Sequence, residues 1–261
     1  MRSDIARAAW AAAGGAVALT LLTATAAHAE GRGDIRITDA VVNHGKSVTI
    51  GTSQRVTYPI TLTIRDGSGV KGLSHVSAFN KSKGWGFGDW TGTKCVKKSS
   101  TTSVCTATMT VAPQWLPDSM PESANNAAGL WQVNATARAE DGDYRIADDI
   151  AEFRMQRAAK LTTDAAPEPV AKGAELTVSG KLTRAHWEDL RYYGFTGQNV
   201  KLQFKAAGAA HYRTVKTVRT GTSGKVTAKV TATSAGSWRW YFPGTTTTAR
   251  VVSAGDAVKL K

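Results

Sequence analysis

From Val56 to Ile64 every second residue is apolar: Val56, Tyr58, Ile60, Leu62 and Ile64, after which the run stops at Asp66-Gly67-Ser68-Gly69. A helix would need apolar residues three and four apart, whereas a period of two places all five side chains on one face of a strand. Such a face must be covered, so the chain has to supply a second sheet. Further short strands are read at 70–79, 94–96, 104–111, 131–139 and 150–155, with Asp141-Gly142 marking a tight turn.

A second block repeats the pattern at Leu176/Val178/Gly180/Leu182, Val200/Leu202/Phe204, 212–218, 226–230, Trp238/Trp240/Phe242 and 249–252. Between the blocks lies FRMQRAAKLTTDAAPEPVAKGAEL, a polar stretch bearing Ala and Pro. Helical periodicity is confined to one turn at 184–190. The pattern predicts an all-β chain of two antiparallel sandwiches in tandem: a first domain over 30–161, a linker over 162–172 and a second domain over 173–261. Residues 1–29 read as a secretory signal peptide, from Arg2 and Arg7, the apolar run Ala8 to Leu22, and Ala27-His28-Ala29 as a cleavage site. The mature chain is then expected to be secreted, free in the medium or held non-covalently at a cell wall, with no membrane span.

Several segments resemble known families. GKLTRAHWEDLRYYGFTGQNVKLQFK, TVKTVRTGTSGKV and AGSWRWYFPGTTTT, with Gly197, Ser223-Gly224 and Gly236-Ser237-Trp238-Arg239 at the recurring positions, resemble immunoglobulin-like sandwich modules of secreted actinobacterial proteins. RDGSGVKGLS, the Cys95/Cys105 region and GLWQVNATARAEDGDY look like an uncharacterised family of small secreted actinobacterial proteins, often labelled calcium-binding. These resemblances imply the fold; a fold does not assign a function.

Cys95 and Cys105 are the only cysteines. In an exported chain they are expected to pair, and reflection about Ser100 sets them opposite each other across a hairpin turning at 99–102. No C-x-x-C spacing supports a metal or redox site.

The chain carries 33 Lys and Arg against 20 Asp and Glu, a net charge of +13. The excess is uneven: 30–157 has 15 basic and 13 acidic residues, whereas 158–261 has 16 and 6. The second domain is therefore the candidate polyanion binder, through Lys201, Lys205, Arg213, Lys216, Arg219, Lys225 and Lys229, which alternate with apolar positions and are expected to share a solvent-facing sheet surface. Outside a cell the matching partner is an anionic cell-wall polymer or another extracellular glycan rather than a specific nucleic acid. The alternative is a generally soluble basic surface.

Two further sites are candidates. Trp85, Phe87 and Trp90 in the glycine-rich segment 84–90 are placed either to contact a ligand or to cover an open end of the sandwich. Asp66, Glu140, Asp141, Asp143, Asp148 and Asp149 lie beside turns that can converge at one end of a sandwich, where clustered oxygens would suit calcium; the alternative is a set of ordinary turn residues. Calcium is the one cofactor these residues suggest.

Catalytic patterns fail. Gly45-Lys46-Ser47 lacks the earlier glycine of a phosphate-binding loop, His186-Trp187-Glu188 is not a zinc-protease pattern, and no nucleophile elbow occurs. Arg32-Gly33-Asp34 spells an adhesion tripeptide but reads as a chance string in a flexible N-terminus. The expected function is that of a secreted non-catalytic interaction or structural protein at or near the envelope; calcium binding through the first-domain loops is the rival, and an unrecognised secreted enzyme the third reading.

Overall fold

The computed structural model describes residues 29–87, 90–116 and 123–261. The expected signal peptide therefore lies outside the described residues, apart from Ala29. The first half contains β1 (Ala29–Arg32), β2 (Arg36–Val42), β3 (Val48–Ile50), β4 (Val56–Arg65), β5 (Val70–Asn80), β6 (Trp85–Phe87), β7 (Trp90–Lys97), β8 (Thr102–Val111), β9 (Gly129–Ala139) and β10 (Tyr144–Arg157). The second half contains β11 (Ala159–Leu161), β12 (Asp164–Ala166), β13 (Glu175–His186), β14 (Arg191–Gly194), β15 (Asn199–Ala206), β16 (Arg213–Arg219), β17 (Lys225–Thr231), β18 (Gly236–Phe242), β19 (Val251–Val252) and β20 (Asp256–Val258).

In the first half one sheet runs β2-β4-β8-β7 and the other β1-β10-β9-β5-β6. The short β3 lies parallel to β10, the one parallel pairing between named strands. This is the A-B-E-D and G-F-C-C′ arrangement of an immunoglobulin-like sandwich, in which the first strand switches sheets. The second half repeats it with β12-β13-β17 facing β16-β15-β18, the latter closed by β19 and β20; β11 and β14 flank the far end of β13.

The alternation of β4 is used as expected: Tyr58, Ile60, Leu62 and Ile64 are buried, and β8 answers with Met109, Ala107 and Cys105 in register. From the opposite sheet come Trp131, Val133, Ala135, Ala137 and Ala139 of β9. The three alanines keep that layer thin at one end, while Trp131 fills the other, its Nε1 donating to the Ala127 carbonyl at 2.7 Å. Cys95 stands directly opposite Cys105 and bonds to it, with Cα atoms 3.9 Å apart.

The second core is built round Trp238, Trp240 and Phe242 of β18. Gly180 lets the Trp240 ring lie against the β13 backbone, because a Cβ there would come within 2.9 Å of the ring and 2.3 Å of the Thr162 carbonyl oxygen. Trp240 Nε1 then donates to the Ser179 carbonyl at 3.1 Å.

Two details differ from the sequence expectation. Residues 162–172 do not form a free linker: β12 pairs with β13, and Ala165 and Val170 are buried in the second core. The apolar residues of this stretch are too widely spaced to show a period, so only long-range pairing reveals the strand. The crossover falls at Arg157 and Ala158, where Ala158 donates to the Ile50 carbonyl and Ala249 to the Arg157 carbonyl. The turn expected at 184–190 begins only after His186, because β13 continues that far. Just beyond it, Trp187 belongs by sequence to the second half but packs in the first core, fully buried, with Nε1 3.0 Å from the Gly51 carbonyl oxygen.

Candidate functional site

The strands β15, β16 and β18 read NVKLQFKA, RTVKTVR and GSWRWYF: six cations and no carboxylate on three adjacent strands. Strand alternation buries Val200, Leu202, Trp238, Trp240 and Phe242. It turns Lys201, Gln203 and Lys205 of β15, and Ser237, Arg239 and Tyr241 of β18, to the outer face. Register places Lys201 opposite Tyr241, Gln203 opposite Arg239 and Lys205 opposite Ser237. Arg219 joins this face opposite Asn199.

The Arg239 guanidinium lies 3.7 Å from the centre of the Tyr212 ring, and its Nε donates to Gln203 Oε1 at 2.9 Å. Lys205 Nζ approaches the same ring at 5.3 Å, and Tyr212 donates to Ser237 Oγ at 2.9 Å. The result is a flat platform with fixed positive charge, since a stacked guanidinium is held without losing its charge. None of Lys201, Lys205, Arg219 and Arg239 enters an ion pair among the described residues.

The seven expected cations thus divide. Lys201, Lys205 and Arg219 share the outer face. Lys216 and Arg213 pair with the inward-facing Leu202 and Phe204, and a bulge at Val215 sets the phase of the strand, so both turn to the other side of this edge strand. Lys225 and Lys229 lie on β17 in the opposite sheet. There Lys229 is paired with Glu175 at 2.7 Å, whose hydrogen bond holds the ammonium above its ordinary range. Arg239 escaped the sequence reading because it sits between two core tryptophans.

The acidic candidates also divide. Asp66 and Asp143 meet at one end of the first sandwich, joined by Asp34, which the sequence reading had left within a chance tripeptide. Glu140 and Asp141 hold the neighbouring turn: the Glu140 amide donates to the Gly69 carbonyl, the Asp141 amide to Ser68 Oγ, and Asp141 Oδ1 accepts the Asp143 amide. Asp149 faces Lys81 at 3.4 Å, and Asp148 is not among the converging carboxylates. Of the aromatic loop, Trp85 is half-buried against the first core. The side chains of Phe87 and Trp90, and residues 88–89 between them, lie outside the described residues.

One cluster has the residue types of a catalytic triad. His186 Nδ1 lies 2.8 Å from Asp189 Oδ1 and its Nε2 3.0 Å from Glu188 Oε2. Ser123 Oγ donates to Glu188, not to the imidazole, at 2.6 Å. Both ring nitrogens are engaged by carboxylates, so neither is placed to activate that hydroxyl. The cluster instead ties the halves together. Burial acts to raise the Glu188 carboxyl, but hydrogen bonds from Ser123 and Asn125 outweigh it and hold the group below its ordinary range.

Among the described residues, no helix is long and apolar enough to cross a membrane. No family model and no curated protein matches the chain, so membership in either of the families it resembles is not shown. Solved structures do align. The D00-D0 domain of intimin does so at 13% identity over 84% of this chain and 98% of that one, with a TM-score of 0.28. The three N-terminal domains of the highly immunogenic outer capsid protein of bacteriophage RB49 align at 11% identity over 89% and 71%, with a TM-score of 0.29. A chimeric titin Z1Z2 aligns at 11% over 87% and 96%, with a TM-score of 0.25. Scores this low carry no functional argument, and the assignment of two immunoglobulin-like sandwiches rests on the strand order described above.

Proposed function

We propose that the protein is a secreted, non-catalytic interaction protein whose second sandwich binds an anionic extracellular polymer on the outer face of β15, β16 and β18. One observation carries this reading: the outer face of three adjacent strands presents four cations, Lys201, Lys205, Arg219 and Arg239, the strands hold no carboxylate, and the Arg239 guanidinium is stacked on Tyr212. A flat sheet face with unpaired charges suits a repeating anion such as a phosphodiester or uronate chain, which offers one charge per repeat. Tyr212 and Tyr241 add ring surface beside the charges, on which a sugar can rest.

The test is binding of the full chain to a soluble poly(glycerol phosphate), with a neutral glycan of similar length as control. Lys201→Glu/Lys205→Glu is expected to weaken binding at least tenfold. Lys181→Glu/Lys225→Glu changes net charge equally, but lies on the opposite sheet, where the two lysines are direct partners, and is expected to leave binding within about twofold. With four cations engaged, the plot of log affinity against log salt is expected to slope at about −3. Equal losses for the two double variants, or binding indifferent to salt, would overturn the assignment.

A further inference from the structure

The end of the first sandwich distal to the junction collects three carboxylates from segments far apart in the chain. Asp34 precedes β2, Asp66 opens the turn between β4 and β5, and Asp143 closes the turn between β9 and β10; one oxygen of each lies within 4.8 Å of the others. Asp66 is only 3% exposed. Its Oδ1 is saturated, accepting the Ser68 amide at 2.8 Å and Ser68 Oγ at 2.6 Å. Its Oδ2 is sealed from solvent and accepts no hydrogen bond.

A buried anionic oxygen left without a donor is costly, and two further carboxylates with an oxygen within 4.8 Å raise the cost. Surrounding charge does not answer it. Arg32 Nε reaches Asp143 Oδ1 at 3.6 Å, while Arg36 and Arg65 line the adjoining depression without pairing to Asp34 or Asp66. The backbone is shaped to keep the acids together. Gly33 has φ +81°, and a Cβ on it would fall 1.3 Å from Asp143 Oδ2, so only glycine allows the Asp34 amide to reach that oxygen at 3.1 Å.

We propose that Asp34, Asp66 and Asp143 bind a divalent oxygen-seeking cation of the calcium class, with Asp66 Oδ2 as the buried ligand. The donor set is all carboxylate, without the nitrogen or sulfur that zinc and copper favour. Three protein carboxylates on one ion are a set that calcium accepts, whereas magnesium keeps several of its waters and is held through one or two carboxylates. Three carboxylates leave further positions to water on the open side, where Asp34 is exposed. The site is independent of the cationic face on the second sandwich.

Isothermal titration of the chelator-treated full chain with calcium chloride tests this, paired with thermal unfolding. One cation per chain is expected, with the transition of the first sandwich rising by about 5–10 °C at a hundredfold excess over Kd. Asp34→Asn, at an exposed position, is expected to weaken binding at least tenfold without loss of fold. Asp66→Asn is expected to abolish it, and Asp148→Asn to leave it unchanged. Absence of both heat and thermal shift at millimolar calcium would overturn the proposal. So would magnesium binding as tightly as calcium, or undiminished calcium binding by a folded Asp34→Asn chain.

Discussion

Trp187 is supplied by one sandwich and buried in the other, so replacing it with alanine should injure the half to which it does not belong. The side chain is fully buried in the first core, and its Nε1 donates to the Gly51 carbonyl at 3.0 Å. A buried tryptophan removes about 200 Å² from water, which at about 25 cal/mol per Å² is about 5 kcal/mol before the retained methyl group is subtracted. Measured losses for such truncations are about 3–5 kcal/mol. A loss of about 4 kcal/mol corresponds to a fall of about 8–16 °C in the melting transition of a chain this size. Calorimetry gives the magnitude, and hydrogen exchange read by mass spectrometry gives the location. Protection should fall first in β3, at whose end the Ile50 and Gly51 carbonyls face the indole N–H, and in residues 124–128, where Asn125 accepts the Trp187 amide, with β15 and β16 little changed. Trp187→Phe should recover more than half of the loss, because packing outweighs one hydrogen bond. A shift below about 3 °C, or lost protection confined to the second sandwich, would refute the view that Trp187 completes the first core.

Other outcomes follow from the same structure. Glu188 is held below its ordinary value of 4.5, so its stabilising share is present above that pH and lost as pH falls through the depressed value. Glu188→Gln should therefore lower the unfolding free energy at pH 7 by no more than about 1 kcal/mol, given its partial exposure, and should converge with the parent chain once pH falls below the depressed value; a gap that persists in acid would assign the effect to packing. The Tyr58 hydroxyl is buried without a partner, and burial pushes the phenol up. Tyr58→Phe is expected to be neutral or to stabilise by up to about 1 kcal/mol in urea unfolding, and a loss above 1 kcal/mol would reveal a hydrogen bond at that oxygen.

What could be read in advance depended on how far apart in sequence the partners lie. The Cys95–Cys105 pairing is local arithmetic about Ser100, and the hairpin bears it out. The alternation of β4 specified its buried face without knowledge of its neighbours. Alternation assigns a face of a strand but not the sheet in which the strand lies, so Lys225 and Lys201 read alike although they occupy opposite sheets. Strands of three residues such as β3 and β12 are too short to show a period and appear only through their partners. Asp34 joined the acidic cluster because β1 pairs with β10, bringing residues 109 positions apart into contact. No local signal in Arg32-Gly33-Asp34 encodes that encounter. Asp66 and Asp143 were legible because turn chemistry marks them directly.

The position of β16 has a consequence beyond ligand binding. Among the described residues it is the edge of its sheet, paired only with β15, and Val215 in its middle is 53% exposed. A bare edge strand invites another molecule to add to the sheet, and lysine, arginine and bulges are common means of preventing this. Arg213, Lys216 and Arg219, with the bulge at Val215, give the strand all three. These charges guard against self-association, and Arg219, which also lies on the outer face, is the one a polyanion bound there would neutralise, loosening the guard at one end of the strand.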